Sequence, residues 1–120
     1  MLEINSLEQR ELPDLNQGRF NHASIILNSY LFVLGGMSRY KDYPSAIECL
    51  SIAGFSAWSI ILEGKETVKR INASVTAVSA TKLLVCGGES KHASSDSGYV
   101  FDVKTHALHQ ILGQRNDFPF

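Results

Sequence analysis

Four histidines and two cysteines, with twelve Asp and Glu side chains, are the groups from which this 120-residue chain could build a metal site or an acid–base pair. Their spacing does not assemble one. His22 has no Cys, Asp or second His at a useful distance, so it reads as a hydrogen-bonded structural histidine. His106 and His109 lie three apart on what reads as a strand. Side chains alternate faces along a strand, so this pair points to opposite sides and argues against a metal site. Cys49 and Cys86 are far apart and read as reduced, buried side chains rather than a bridge. There is no G-x-S-x-G elbow, no P-loop and no H-E-x-x-H. No catalytic residue, metal ligand or cofactor is nominated.

The elements that carry these residues show a plan stated twice. Tyr30-Leu31-Phe32-Val33-Leu34-Gly35-Gly36 is echoed fifty-two residues later by Lys82-Leu83-Leu84-Val85-Cys86-Gly87-Gly88. Each is an apolar run too short for a helix, cut off by two glycines, and reads as a strand buried on both faces. The glycines offer φ > 0 or a close backbone approach. A period of about 50 residues marks a repeat architecture.

The echo extends on both sides. Arg19-Phe20-Asn21-His22 leads into Ala23 to Leu27, and Arg70 leads into Ala73 to Val78. Ser45 to Leu50 is the third strand of the first copy and Trp58 to Leu62 its fourth. Gly98-Tyr99-Val100-Phe101-Asp102 and His109 to Leu112 take those places in the second. Over residues 18 to 113 the chain resembles the kelch motif, with an Arg and often a His before strand one, a diglycine closing strand two, an aromatic on strand three and a Trp opening strand four. On this resemblance the structural motif residues are His22, Gly35, Gly36, Trp58, Gly87, Gly88 and Tyr99. The second copy departs from it, with Ser74 at the His place and Gln110 at the Trp place.

The resemblance implies an all-β fold: two four-stranded antiparallel kelch blades of an incomplete β-propeller, with an extra N-terminal strand. Residues 1–17 are read as a strand and linker mimicking the outer strand of a preceding blade, 18–64 as blade one, 65–113 as blade two and 114–120 as a tail. Asn28-Ser29 is the tight hairpin turn of blade one, and Gly54 and Gly64 mark later turns. With no 3.6-residue periodicity, little or no helix is expected. Closed propellers use about 4 to 8 blades, so two cannot close a ring, and self-association through exposed blade faces is expected.

Composition agrees with an ordinary soluble domain, 44% hydrophobic and 19% charged with a net charge of −1. No basic stripe interleaves with aromatics, which argues against nucleic acid. No apolar stretch reaches the ~20 residues that span a bilayer, and Met1 to Arg10 has no hydrophobic signal region. The default compartment is cytoplasmic, and Asn72-Ala73-Ser74 is then a chance glycosylation match.

For function, the resemblance implies a protein-interaction module of scaffold or substrate-adaptor type, its partner unidentified. In proteins that resemble this motif, the Arg leading into strand one and the long loops contact a partner peptide. That nominates Arg19 and, one residue off the repeat register, Arg70. The long loops nominate Arg39, Tyr40, Lys41, Tyr43, Lys91 and His92, since Tyr and Arg commonly anchor interfaces. Copper oxidases of this kind place tyrosines and histidines in contexts absent here. Isomerases of this kind need a complete ring. The alternatives are a propeller enzyme completed by further blades or chains, and a non-functional fragment of a longer kelch protein. Circular dichroism should show strand without the double minimum of α-helix, and a helical spectrum would sink the all-β reading.

Overall fold

Ten β-strands and one short 3-10 turn form the regular structure of the described residues. The computed structural model describes residues 13–39, 42–54, 57–89 and 97–111, with the backbone alone for 2–5 and 8–10. In chain order the strands are β1 (Leu2–Asn5), β2 (Glu8–Arg10), β3 (Ala23–Leu27), β4 (Tyr30–Leu34) and β5 (Ile47–Ser51). They continue with β6 (Ser59–Leu62), β7 (Ser74–Ala77), β8 (Lys82–Cys86), β9 (Gly98–Asp102) and β10 (Leu108–Ile111). The strands β3 to β6 make one four-stranded sheet and β7 to β10 a second, each with neighbours in chain order. Every pairing is antiparallel, so both sheets are meanders. The N-terminal segment contributes two short strands paired with each other, β1 on β2, where the sequence suggested one. A 3-10 turn at Glu66–Val68 lies in the connector between the sheets, and no helix among the described residues is long and apolar enough to cross a membrane.

Local chemistry accounts for the turns. Asn28 and Ser29 both take positive φ, 52° and 67°, and join Leu27 to Tyr30 as a two-residue loop. Such loops need φ > 0 at both central residues so that their twist matches the strands. The second sheet spends one residue more. Val78 N–H donates to the Lys82 carbonyl at 2.9 Å across Ser79-Ala80-Thr81. That single residue explains why Arg70 follows Arg19 by 51 positions while Gly87 follows Gly35 by 52. The apparent slip of Arg70 is absorbed in the hairpin turn, and Arg70 occupies the same place as Arg19. The same offset sets Ala73, not Ser74, opposite His22 in the repeat.

The main core lies between the sheets. Phe32, Leu34 and Ile47 of the first pack with Leu83, Val85, Tyr99 and Phe101 of the second, and Val68 of the connector is fully buried among them. On the other face of the first sheet Val33, Leu50 and Trp58 form a smaller cluster with Leu15 and Leu31. Phe32, Val33 and Leu34 are therefore buried on both faces, as their unbroken apolar run suggests. The run in β8 behaves differently. Leu83 and Val85 are buried, Leu84 is half-buried and Cys86 exposed, because among the described residues one face of this sheet packs on the first sheet and the other does not. Cys86 is thus a surface thiol rather than a buried one, while Cys49 is half-buried, and both are free.

His106 also departs from the strand expected of it. It sits at φ 63° in the turn before β10. Asp102 Oδ1 accepts the Lys104 and Thr105 N–H groups at 2.8 and 2.9 Å and shapes that turn. Those bonds hold the Asp102 carboxyl below its usual pKa range. The ring of His106 stacks on Phe101 with centroids 6.1 Å apart.

The joint between the sheets uses the first diglycine. Gly36 N–H donates to the Arg70 carbonyl at 2.6 Å, and Asn72 N–H donates to the Asn21 carbonyl at 3.0 Å. Gly35 has φ +70°, and a Cβ there would collide with the Arg70 carbonyl oxygen. Gly35→Val should therefore lower stability by about 2 to 5 kcal/mol, combining backbone strain with overpacking. Gly87→Val, at φ 75°, should also be clearly destabilised, and Ser38→Val less than either. Equal melting temperatures for the three variants would remove the diglycine's structural role.

Candidate functional site

Arg19 enters the first sheet rather than solvent. Its side chain and that of Glu48 are both fully buried and form an ion pair at 2.9 Å. The guanidinium also donates through Nε to the Gln17 carbonyl at 3.1 Å. Through Nη1 it donates to the Gly35 and Ala46 carbonyls at 3.0 and 2.9 Å. One planar group thereby ties the lead-in to β3, the end of β4 and the start of β5. Arginine suits this because its donors are fixed in a fork and stay charged when buried. Burial pulls its pKa below the ordinary arginine value, and Glu48 opposes that shift.

Glu48 is equally saturated. Its Oε1 accepts from Asn16 N–H at 2.8 Å and Asn16 Nδ2 at 3.0 Å, and its Oε2 accepts from Gln17 N–H at 3.0 Å besides Arg19. Asn16 Nδ2 also reaches the Trp58 carbonyl at 3.0 Å, and Trp58 Nε1 donates to the Pro13 carbonyl at 2.7 Å. Residues 13–17 are thus pinned across the face of the first sheet. Trp58 is a packing residue with a satisfied indole N–H, which is how a buried Trp is normally held.

Arg70 repeats the clamp without the carboxylate. Nε donates to the Thr67 carbonyl at 2.9 Å, and Nη1 donates to the Gly87 and Ser97 carbonyls, each at 3.1 Å. Nη2 donates to Ser97 Oγ at 2.9 Å. In place of Glu48 stands Tyr99, whose ring lies 5.9 Å from the guanidinium carbon, within cation–π range. Burial pushes the Tyr99 hydroxyl well above the ordinary phenol value, against the pull of both arginines. The repeat also shifts the place of Trp58. Cys49 faces Ser59, so Trp58 comes next along the ladder opposite Leu50. In the second sheet Leu108 faces Phe101, and Leu108, not Gln110, is its counterpart.

A cleft of about 700 Å³ opens beside the first clamp, lined by Phe20, Arg39, Asp42, Tyr43 and Lys69 among others. Phe20 is 48% exposed at its mouth, and its backbone is paired with Met37 at 2.9 Å in both directions. Ser38 N–H donates to the Asp42 carbonyl at 2.8 Å, and Asp42 N–H donates to Ser38 Oγ at 3.2 Å, which folds the loop after the diglycine. Lys69 Nζ is bonded to Glu66 at 2.9 Å on the surface. His22 is exposed nearby, its pKa lowered first by partial desolvation and then by Arg19.

Of the nominated residues, Arg19, Arg39 and Tyr43 line this cleft, while the Arg19 and Arg70 guanidinium groups themselves turn inward. Tyr40, Lys41, Lys91 and His92 lie outside the described residues. Phe20 and Lys69 were missed, because an apolar residue before a strand and a connector lysine carry no motif. Glu48 was missed too. Its signal was a carboxylate at an inward position of a strand, which only a buried cation can satisfy. Among the described residues no group of three or more His, Cys, Asp and Glu could hold a metal.

Residues 72–107 match the family model of the kelch motif. The match runs from the lead-in to β7 to the turn before β10, so it falls on the copy that departs more from the pattern. No curated protein matches the chain.

Glu48→Gln removes the charge and turns an amide NH₂ toward buried donors. It should destabilise the fold by about 3 kcal/mol, as breaking a buried ion pair does. Thermal melting beside the surface variant Glu66→Gln checks this, and equal melting points would refute the clamp's role.

Proposed function

We propose that this kelch-repeat protein works as a protein-interaction module, of scaffold or substrate-adaptor type, that receives a segment of a partner protein in the cleft beside Phe20. The observation that carries the reading is the cleft itself. An exposed aromatic ring, the partly buried Tyr43 and the cations Arg39 and Lys69 line one recess of about 700 Å³. Aromatic and arginine side chains are the types that anchor protein interfaces. A pocket of this size buries a few side chains of an extended peptide. Asp42, and Glu66 bonded to Lys69, offset part of this charge, so the expected segment is mildly acidic with an apolar anchor rather than polyanionic.

The buried arginines support this by position. Arg19 holds the lead-in to β3, and so places Phe20 at the cleft mouth, while its bond to the Ala46 carbonyl fixes the far end of the loop that bears Arg39 and Tyr43. Arg19 and Arg70 are read as positioning residues, and Arg39 and Tyr43 as contact residues. A cytoplasmic setting, where thiols stay reduced, accords with two unpaired cysteines.

A random peptide display library panned on the purified chain tests this. Enrichment of acidic peptides with an aromatic or aliphatic anchor is expected. Arg39→Glu and Tyr43→Ala should each lose at least about tenfold in affinity, roughly the effect of losing a hot spot. Enrichment that both variants retain in full would move the site elsewhere. Failure to enrich any peptide would overturn the reading.

A further inference from the structure

The joint between the two sheets leaves a matching half-joint at each end of the chain's described core. Inside the chain, Gly36 N–H and the Asn21 carbonyl of the first sheet meet the Arg70 carbonyl and Asn72 N–H of the second. By the repeat, the second sheet offers Gly88 N–H and the Asn72 carbonyl on its far side. The first sheet offers the Arg19 carbonyl and Asn21 N–H on its own far side. Among the described residues, none of these four groups has a hydrogen-bond partner. They form the same donor–acceptor set, in the same order, as the joint that already exists.

The side chains around them are graded the same way. Beside the free groups of the second sheet, the half-buried Leu84 and Val100 share a face with Thr76, which is exposed. On the free face of the first sheet, Ile26 is 53% and Ile60 41% exposed, next to the half-buried Leu31. The repeat places Ile26 where Ala77 stands in the second sheet, and Ala77 pairs with the buried Leu83 at the internal joint. Residues 13–17 do not obstruct this face. They hold the place that the Glu66–Val68 connector holds at the internal joint, where Val68 is part of the shared core.

We infer that the far face of the second sheet docks on the far face of the first sheet of another copy of this chain, head to tail. Gly88 N–H then donates to the partner copy's Arg19 carbonyl, and the Asn72 carbonyl accepts from its Asn21 N–H. The contact is heterologous, so it continues until the rotation closes a ring. With two sheets per copy, about two to four copies reach the about 4 to 8 blades of closed propellers. This surface adjoins the cleft at Arg19, which lines both, but its test reads mass rather than peptide binding and so does not depend on the cleft reading.

Light scattering after size exclusion should give a mass of two or more copies for the 120-residue chain. Leu84→Glu disables only the second-sheet face, and Ile26→Glu only the first-sheet face. Each variant alone should run as a monomer, and an equimolar mixture should form a one-to-one pair and nothing larger. Thr76→Glu, at an exposed position, repeats the Leu84 arm with less risk to folding, and circular dichroism confirms that each variant is folded. A monomeric wild-type chain over a wide concentration range would overturn the inference. It would assign those faces to other occupants, such as further blades of a longer protein. Loss of association in one variant but not the other would also overturn it, since that marks a two-fold contact.

Discussion

A buried guanidinium at the entry to each sheet is the constraint on which the rest of this structure depends. Between strands two and three of each meander the chain makes a long excursion, opening a gap just beyond the last ladder pair, Val33 with Glu48 in the first sheet and Cys86 with Gly98 in the second. Arg19 spans that gap in the first sheet by bonding the Gly35 and Ala46 carbonyls with one nitrogen, and Arg70 does the same with Gly87 and Ser97. These carbonyls lie at strand ends, where the ladder stops and water is excluded. An unpaired buried carbonyl is expensive, and a charged donor satisfies it more strongly than a neutral one.

The two sheets neutralise that charge in different ways, and the difference is functional in scope. Glu48 draws Asn16 and Gln17 onto the first clamp and so straps the N-terminal approach across the sheet. Tyr99 supplies an aromatic face, draws in no second segment and leaves Ser97 to complete the bonds. The first sheet is therefore wrapped on the side that bears the cleft. The second has no comparable strap among the described residues, and its far face carries the half-buried Leu84 and Val100 beside the exposed Thr76. The two sheets share one backbone plan, and this chain meets that plan with two unlike sets of side chains.

The same backbone carbonyl links clamp to joint. Arg70 holds its own sheet with its side chain while its carbonyl oxygen receives Gly36 of the preceding sheet. A residue that orders one sheet thus also sets the spacing of the next. This is why glycine is required at position 35, where any side chain would meet that oxygen. The relative placement of the sheets follows from a few backbone contacts, with the apolar core of Phe32, Leu34, Leu83 and Val85 supplying the larger free energy.

Much of the architecture was legible in the residues alone, because it rests on local rules. Apolar runs ended by diglycines, the Asn28-Ser29 turn and the repeat of Arg, diglycine and third strand determine eight strands in two meanders. Each of these signals acts within a few residues. The tertiary structure decided what acts across the sheets. It buried Arg19 and Arg70, placed Phe20 and Lys69 beside Arg39 and Tyr43, exposed Cys86, and paired Glu48 with an arginine twenty-nine positions away. A buried polar group takes its role from its partner, and the partner's place is set by how the strands fold together. Even the one-residue slip of Arg70 made sense only once the longer turn at Ser79 to Thr81 was seen to absorb it, since strand pairing restores register wherever a turn changes length.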